Sequence, residues 1–337
     1  MKFLDIVLGA AAAGSAMAAP TCDASTKSKR AGKFKFVGIN QSCAEFGQDT
    51  LPGQLDKHYT WPATSSIDTL LETGMNTVRV PFMMERLIPE QLTGTVNETY
   101  SQGLIDTVAH ITGKGAYAII DPHNFGRYYE EIITDVEGFK AWWTTTAGLF
   151  ADNENVIFDT NNEYHDMENS LVADLNQAAI DGIRAAGATS QYILVEGNSW
   201  SGAWTWVSSG NGESLLNLSD PEDKIIYEMH QYLDEDGSGT HEECVSGTIG
   251  QERLQEATEW LKANGKTAIL GETAGGPNDQ CIQALTGMLS FLEENSDVWS
   301  GWLWWAAGPW WADYMYSMEP PSGTAYTAIL PSLQPYI

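Results

Sequence analysis

Gly115-Ala116-Tyr117-Ala118-Ile119-Ile120-Asp121-Pro122-His123-Asn124 compresses the plan of the chain into ten residues. A glycine closes a helix by supplying the left-handed residue that stops it. A short, near-continuous apolar run follows, which is how a strand buried on both faces reads. The run ends in polar and ionisable groups. Glycines at Gly74, Gly187 and Gly265 punctuate the chain in the same way. Eight apolar runs recur, at 34–39, 77–80, 116–120, 156–159, 192–195, 225–229, 267–270 and 299–305, with centres about 38 residues apart. Between them lie stretches with helical spacing, such as Ile67, Leu70 and Leu71, or Leu254, Ala257, Trp260 and Leu261. Strand–helix alternation predicts a parallel sheet. Eight repeats predict its closure into an α/β fold of the (β/α)8 TIM barrel type, as one domain over 31–337. A doubly wound sheet competes, but no GxGxxG follows the first run.

The chain has 337 residues, 43% of them hydrophobic, which suits one large barrel. Lys and Arg number 17 against 45 Asp and Glu, a formal charge of -28. That charge repels phosphate backbones and anionic lipid, so neither nucleic acid nor a membrane surface is an expected partner. Thirteen tryptophans include clusters at Trp200, Trp204 and Trp206 and at Trp302, Trp304, Trp305, Trp310 and Trp311. So many large rings must either fill a core or bind something flat.

Residues 1–18 read as a signal peptide: Lys2, an apolar run over 3–13 interrupted by Asp5, and Ala16-Met17-Ala18 as a cleavage site. The apolar run is too short for a membrane span, and the protein is expected to be secreted. Residues 19–30 end in Lys29-Arg30 and read either as a trimmed pro-segment or as a flexible tail. A bare catalytic domain without linker or second module is expected, and so is a monomer. Cysteines stand at Cys22, Cys43, Cys244 and Cys281, with no CxxC pair to suggest a zinc ribbon. Sequons begin at Asn40, Asn97 and Asn217; Asn97 and Asn217 sit in polar, loop-like stretches and are the better candidates for N-glycosylation.

In a barrel, function gathers past the C-terminal ends of the strands. Those positions hold, in order, Arg79, then Asp121-Pro122-His123-Asn124, Asn161-Asn162-Glu163 and Glu196-Gly197-Asn198. His230 with Tyr232, Gly271-Glu272 and Trp304-Trp305 complete the ring. A barrel needing only stability has no use for a polar group at one end of nearly every strand. Glu163 and Glu272 follow strands four and seven, on opposite sides of the ring, so they can flank a ligand. Glycosidic cleavage needs such a pair: one carboxylic acid protonates the leaving oxygen, and the other carboxylate meets the reacting carbon. His123, His230, Glu163 and Glu272 could instead hold a metal on donor type alone. There is no HExxH, however, and flat tryptophans suit sugar rings better. No metal or cofactor is expected. A serine nucleophile on a GxSxG elbow is absent.

Six stretches carry a resemblance: Val78-Arg79-Val80-Pro81-Phe82, Ile120-Asp121-Pro122-His123-Asn124, Phe158-Asp159-Thr160-Asn161-Asn162-Glu163, Glu228-Met229-His230-Gln231-Tyr232, Leu270-Gly271-Glu272 and Trp304-Trp305-Ala306-Ala307-Gly308. In this order they resemble glycoside hydrolase family 5, and within it the fungal endo-β-1,4-glucanases (cellulases). The resemblance implies a retaining hydrolase of β-1,4-glucan with Glu163 as acid/base and Glu272 as nucleophile. It implies that Asn162 contacts the sugar hydroxyl beside the reacting carbon. Arg79 and Tyr232 would hydrogen-bond Glu272 and favour its charged form, and His230 would sit by Glu163 and help it recover its proton. His123 would bind substrate at the cleavage subsite and Trp305 would form the sugar platform, with a non-proline cis bond after it. Alternation lets only one of Trp304 and Trp305 face the mouth; the family pattern selects Trp305. Tyr164 stands where the family usually has Pro or Phe. The resemblance also pairs Cys244 with Cys281, leaving Cys43 as a small buried thiol.

A groove lined by Trp200, Trp204, Trp206 and Trp311 would admit a polymer in mid-chain. A β-mannanase on the same fold is the nearest rival activity, and a carbohydrate-binding relative without catalysis is the rival of another class. Sequencing the N-terminus of secreted protein separates the two readings of residues 19–30: a start at Ala31 marks a trimmed pro-segment, and an earlier start leaves a tail.

Overall fold

The computed structural model describes residues 34–337; the predicted signal peptide, the segment 19–30 and Cys22 lie outside them. Eight strands form a closed barrel: β1 Phe36–Gln41, β2 Thr77–Phe82, β3 Tyr117–Pro122, β4 Val156–Asp159, β5 Ile193–Glu196, β6 Ile225–His230, β7 Ala268–Thr273 and β8 Trp299–Ala307. Each pairs in parallel with its chain neighbours, and β8 closes onto β1. The expected (β/α)8 TIM barrel is the fold. Gly74, Gly115, Gly187 and Gly265 all have positive φ, and Gly265 caps the helix Ile249–Asn264 directly. Helix starts are fixed as locally: the side chains of Asn97, Asp135 and Asn278 accept hydrogen bonds from first-turn backbone N–H groups.

Two cores result from the period-two geometry of strands. Outward residues such as Val80, Ile120, Phe158, Val195 and Met229 pack against the surrounding helices. Phe36, Ile119, Ile157, Leu194, Ile226, Ile269 and Leu303, one from each of seven strands, pack together. Only the barrel interior brings seven such residues into contact, so they plug it. Two residues further along each strand, the same face points inward again. That step gives Asp121, Asp159, Glu196 and Glu228 on β3 to β6, Gly271 on β7 and Trp305 on β8. A layer of acids therefore lies directly above an apolar plug.

Between β5 and β6 the helical layer thins to Asn211–Ser214, and a long loop replaces the rest. Cys244 and Cys281 form a disulfide between the loop after β6 and the first turn of the helix Asp279–Glu294. Cys43 is free and fully buried. Asn40 is buried in β1 and donates to Gly271 O and Trp304 O, so its sequon is inaccessible, whereas Asn217 is exposed. No described helix is long and apolar enough to cross a membrane.

Backbones approach closely where β1 meets β2. A Cβ on Gly38 would lie 1.7 Å from Thr77 O. Gly38→Ala is expected to destabilise the barrel by at least ~1–3 kcal/mol through overpacking, read as a lower urea midpoint at unchanged slope. An unshifted midpoint would show that β1 and β2 can separate freely.

Candidate active site

Arg79 organises the site from the middle of β2. Its side chain is fully buried, and its guanidinium lies within 3.2 Å of five carboxylates, those of Asp121, Asp159, Glu196, Glu228 and Glu272. Burial opposes its charge, but the surrounding carboxylates outweigh that and hold it firmly cationic. The flat fork of an arginine can serve several acceptors in one plane. Here Nη1 donates to Glu272 Oε1 at 2.8 Å and to Asn40 Oδ1 at 3.0 Å, while Nη2 donates to Asn162 Oδ1 at 2.9 Å. Arginine thus orients two predicted site residues at once.

Glu272 is nearly buried in β7, and its second oxygen accepts from Tyr232 Oη at 2.7 Å. Burial and the charge of Glu272 push the Tyr232 phenol well above its ordinary value, so it stays a donor. Glu163 follows β4 in a left-handed conformation, with φ of 47°, and its backbone N–H donates to Glu196 Oε2 at 2.7 Å. Its Oε1 lies 2.7 Å from His230 Nδ1. One carboxylate oxygen of Glu163, one of Glu272 and a ring nitrogen of His230 all lie within 4.8 Å of one another. Carboxyl oxygens this near each other can act on one bond held between them. The arrangement does not call for a cation, because Arg79, His230 and Tyr232 already engage these oxygens. His123, included in the metal reading, instead contacts Asp121 Oδ2 at 2.8 Å and Asn162 Nδ2 at 3.3 Å.

Trp305 reaches the mouth, with its ring stacked on His123 at 5.2 Å and 14°. Trp304 points outward, fully buried, and donates to Tyr316 O. The Trp305–Ala306 peptide is cis. Trp311 stands behind Trp305, edge-on at 6.1 Å, and stacks on Tyr314. On the other side, a cavity of about 480 Å³ is bounded by Glu163, Trp200, Trp204, His230 and Tyr232. Trp200 and Trp204 are about half exposed, at 50% and 47%. Trp200 stacks on His165 at 4.7 Å, and Arg253 lies over Trp204 at 4.3 Å. A second hollow of about 520 Å³ runs past Tyr232, Trp305 and Tyr314. Tyr232 borders both, so the two glutamates stand midway along an open groove.

Two expectations need correction. Trp206 does not line the groove: it is fully buried and packs on Tyr227 and Trp260. Arg79, Asp121, Gly271, Glu272, Trp304 and Trp305 lie inside their strands and not past them, and Pro122, Glu196 and His230 are the last residues of theirs. Inward-pointing carboxylates belong to the ladder here because Arg79 gives them a partner, and His230 because carboxylates surround it. The carboxylates of Asp159 and Glu228, which also hold Arg79, had no assigned place; the step from Ile157 to Asp159 and from Ile226 to Glu228 was the signal.

Residues 39–308 match the family model "Cellulase (glycosyl hydrolase family 5)". The chain is 60% identical over 337 residues to the "Probable endo-beta-1,4-glucanase B" of Neosartorya fischeri, covering 100% of each chain. It is 57% identical over 334 residues to the "Endo-beta-1,4-glucanase B" of Emericella nidulans, covering 99% of each. Among solved structures it superposes on an XacCel5A complex with cellopentaose at a TM-score of 0.87 and 38% identity, covering 90% of this chain and 100% of that one. The chain belongs to the cellulase family, glycosyl hydrolase family 5.

Proposed function

We propose that the protein is an endo-β-1,4-glucanase that cleaves internal β-1,4-glucosidic bonds with retention of configuration. The observation that carries this is the pair Glu163 and Glu272, with oxygens within 4.8 Å, midway along an open groove. Similarity at 56–60% identity to full-length chains named as endo-β-1,4-glucanases selects glucan over mannan. The bound cellopentaose of the XacCel5A structure points the same way.

In this reading Glu272 attacks the anomeric carbon while Glu163 protonates the departing glycosidic oxygen, leaving a glucosyl ester on Glu272. Glu163, now a carboxylate, takes a proton from water as that water attacks the same carbon, and Glu272 leaves. Arg79 and Tyr232 hold Glu272 for attack and receive it back as a carboxylate. His230, whose other ring nitrogen faces Glu228, supports the proton cycle of Glu163. Asn162, held by Arg79, meets the hydroxyl beside the reacting carbon, and Trp305 with His123 forms the platform beneath that sugar. Trp200 and Trp204 receive the leaving part of the chain, because their hollow is the one that contains Glu163. Trp311 extends the Trp305 side. We also assign residues 1–18 as a secretion signal, residues 31–337 as the catalytic domain, and Asn97 and Asn217 as glycan sites; the exposed position of Asn217 supports the last.

Viscosity of carboxymethyl-cellulose is expected to fall sharply under the enzyme while locust-bean mannan keeps its viscosity; the reverse pattern would select the mannanase. The first product seen by NMR is expected to be the β-anomer. Glu272→Ala is expected to lower kcat on the order of 10⁴-fold or more, as for other nucleophiles, with a near-normal circular dichroism spectrum. Turnover at the wild-type rate would remove Glu272 from the chemistry. Glu163→Gln is expected to cost about 10²–10⁴-fold on glucan, the usual share of a general acid. It should cost far less on aryl cellobiosides whose phenols leave unaided. Equal losses on both substrates would contradict the acid role.

A further inference from the structure

Around Arg79 stand more buried carboxylates than buried cations. Asp121, Asp159, Glu196, Glu228 and Glu272 surround Arg79, with His123 and His230 as the other basic groups. Three of these carboxylates each have one oxygen served and one left bare: Asp121, whose Oδ2 faces Arg79 Nη1 and His123 Nδ1 while its Oδ1 is bare, and the pair Asp159 and Glu228. Asp159 Oδ2 accepts from Arg79 Nε at 3.0 Å and Nη2 at 2.8 Å, but its Oδ1 is buried without a partner. Glu228 Oε1 lies 3.2 Å from Arg79 Nε and 3.4 Å from His230 Nε2, but its Oε2 is likewise buried without a partner. Desolvated oxygens of this kind are costly unless something bonds them. Both carboxylates converge on Arg79 Nε, Asp159 Oδ2 at 3.0 Å and Glu228 Oε1 at 3.2 Å, which brings the two side chains within reach of each other. Two carboxylates so placed can bond each other only if one carries a proton.

The surroundings say which one. Burial, Glu228 and Glu196 push Asp159 well above the ordinary carboxylate range. Glu228 is held low, because Arg79, His230 and the bond from Asp159 overcome its burial. Glu196 is pushed up by burial as well, but each of its oxygens already accepts an N–H, from Arg79 at 3.2 Å and from Glu163 at 2.7 Å. A Cβ on Gly271 would fall 1.7 Å from Glu228 Oε1, so that glycine makes the room the carboxylate occupies.

We propose that Asp159 and Glu228 hold one proton between them, and that the single negative charge left on Glu228 acts through His230 to keep the proton of the Glu163–His230 couple in place. Asp159 and Glu228 are positioning residues, since His230 separates them from Glu163. His230 faces Glu163 and Glu272 through Nδ1, at 2.7 and 3.7 Å, and Glu228 and Glu196 through Nε2, at 3.4 and 3.7 Å. These neighbours raise its proton affinity well above the ordinary histidine value against the effect of burial. Neutralising Glu228 removes one of them, so the couple loses its proton at lower pH. Neutralising Asp159 removes no charge, because Asp159 is already neutral, and an asparagine there still donates to Glu228.

The functional half of this rests on the glucanase reading; the shared proton does not. Infrared difference spectra of full-length wild type against Asp159→Asn at neutral pH should show a buried protonated-carboxyl C=O band that the variant lacks. The basic limb of the kcat–pH profile on carboxymethyl-cellulose should move down by about one pH unit or more in Glu228→Gln, the scale of one close charge. It should stay in place in Asp159→Asn. No band difference, an unmoved limb in Glu228→Gln, or equal shifts in both variants would overturn the proposal. If Glu228→Gln fails to fold, the infrared band and the Asp159→Asn profile still decide it. A wild type inactive on glucans would overturn the proposed function and leave the infrared result standing.

Discussion

The guanidinium of Arg79 and the five carboxylates around it are mutually obligatory. A lone buried arginine would carry a desolvation cost of several kcal/mol, and each uncompensated carboxylate a similar one. Together they form a hydrogen-bonded cluster that reaches five strands, from β3 to β7. The cluster sits on the apolar plug of Phe36, Ile119, Ile157, Leu194, Ile226, Ile269 and Leu303. That plug denies it water from below and fixes its height in the barrel. Glu272 and Asn162 are the upper members of the network, so the geometry at the groove follows from the packing of charge beneath it. Sites built on strands and braced by buried partners hold their geometry better than sites on loops alone.

Much of this could be read in the residues. Glycines at 74, 115, 187 and 265 phased the strands, and the strands placed Glu163 and Glu272 on facing sides of the ring. What escaped was depth. Glu196 and Glu272 look like loop residues because ionisable groups rarely sit in a buried strand, and nothing local in the sequence reveals that an arginine 117 and 193 positions away compensates them. Tryptophan was ambiguous for a related reason. Trp204 and Trp206 are two residues apart in one loop, yet one lies under Arg253 at the surface and the other is sealed against Tyr227 and Trp260. Ring chemistry is the same in both places, and only the tertiary neighbours separate a binding face from a core.

The groove has an internal asymmetry that matches its two glutamates. Glu163, partly exposed, opens into the hollow with the half-exposed rings of Trp200 and Trp204. Glu272 lies nearly buried toward the side where Trp305, Trp311 and Tyr314 pack on one another. On one side the rings brace one another, whereas Trp200 and Trp204 lean on His165 and Arg253 and keep about half of their surface exposed. A hydrolase that must hold one part of its substrate through a covalent step while the other departs is well served by that difference.

The bridge between Cys244 and Cys281 has a topological consequence. The residues between them, 37 positions apart, include the helix Ile249–Asn264 and all of β7 with Glu272. They form a closed covalent loop rooted beside the segment that bears Tyr232. A single backbone cut anywhere within that loop leaves both pieces joined, so nucleophile and phenol stay on one connected molecule. The bridge thus acts as a hoop around the most heavily used edge of the barrel.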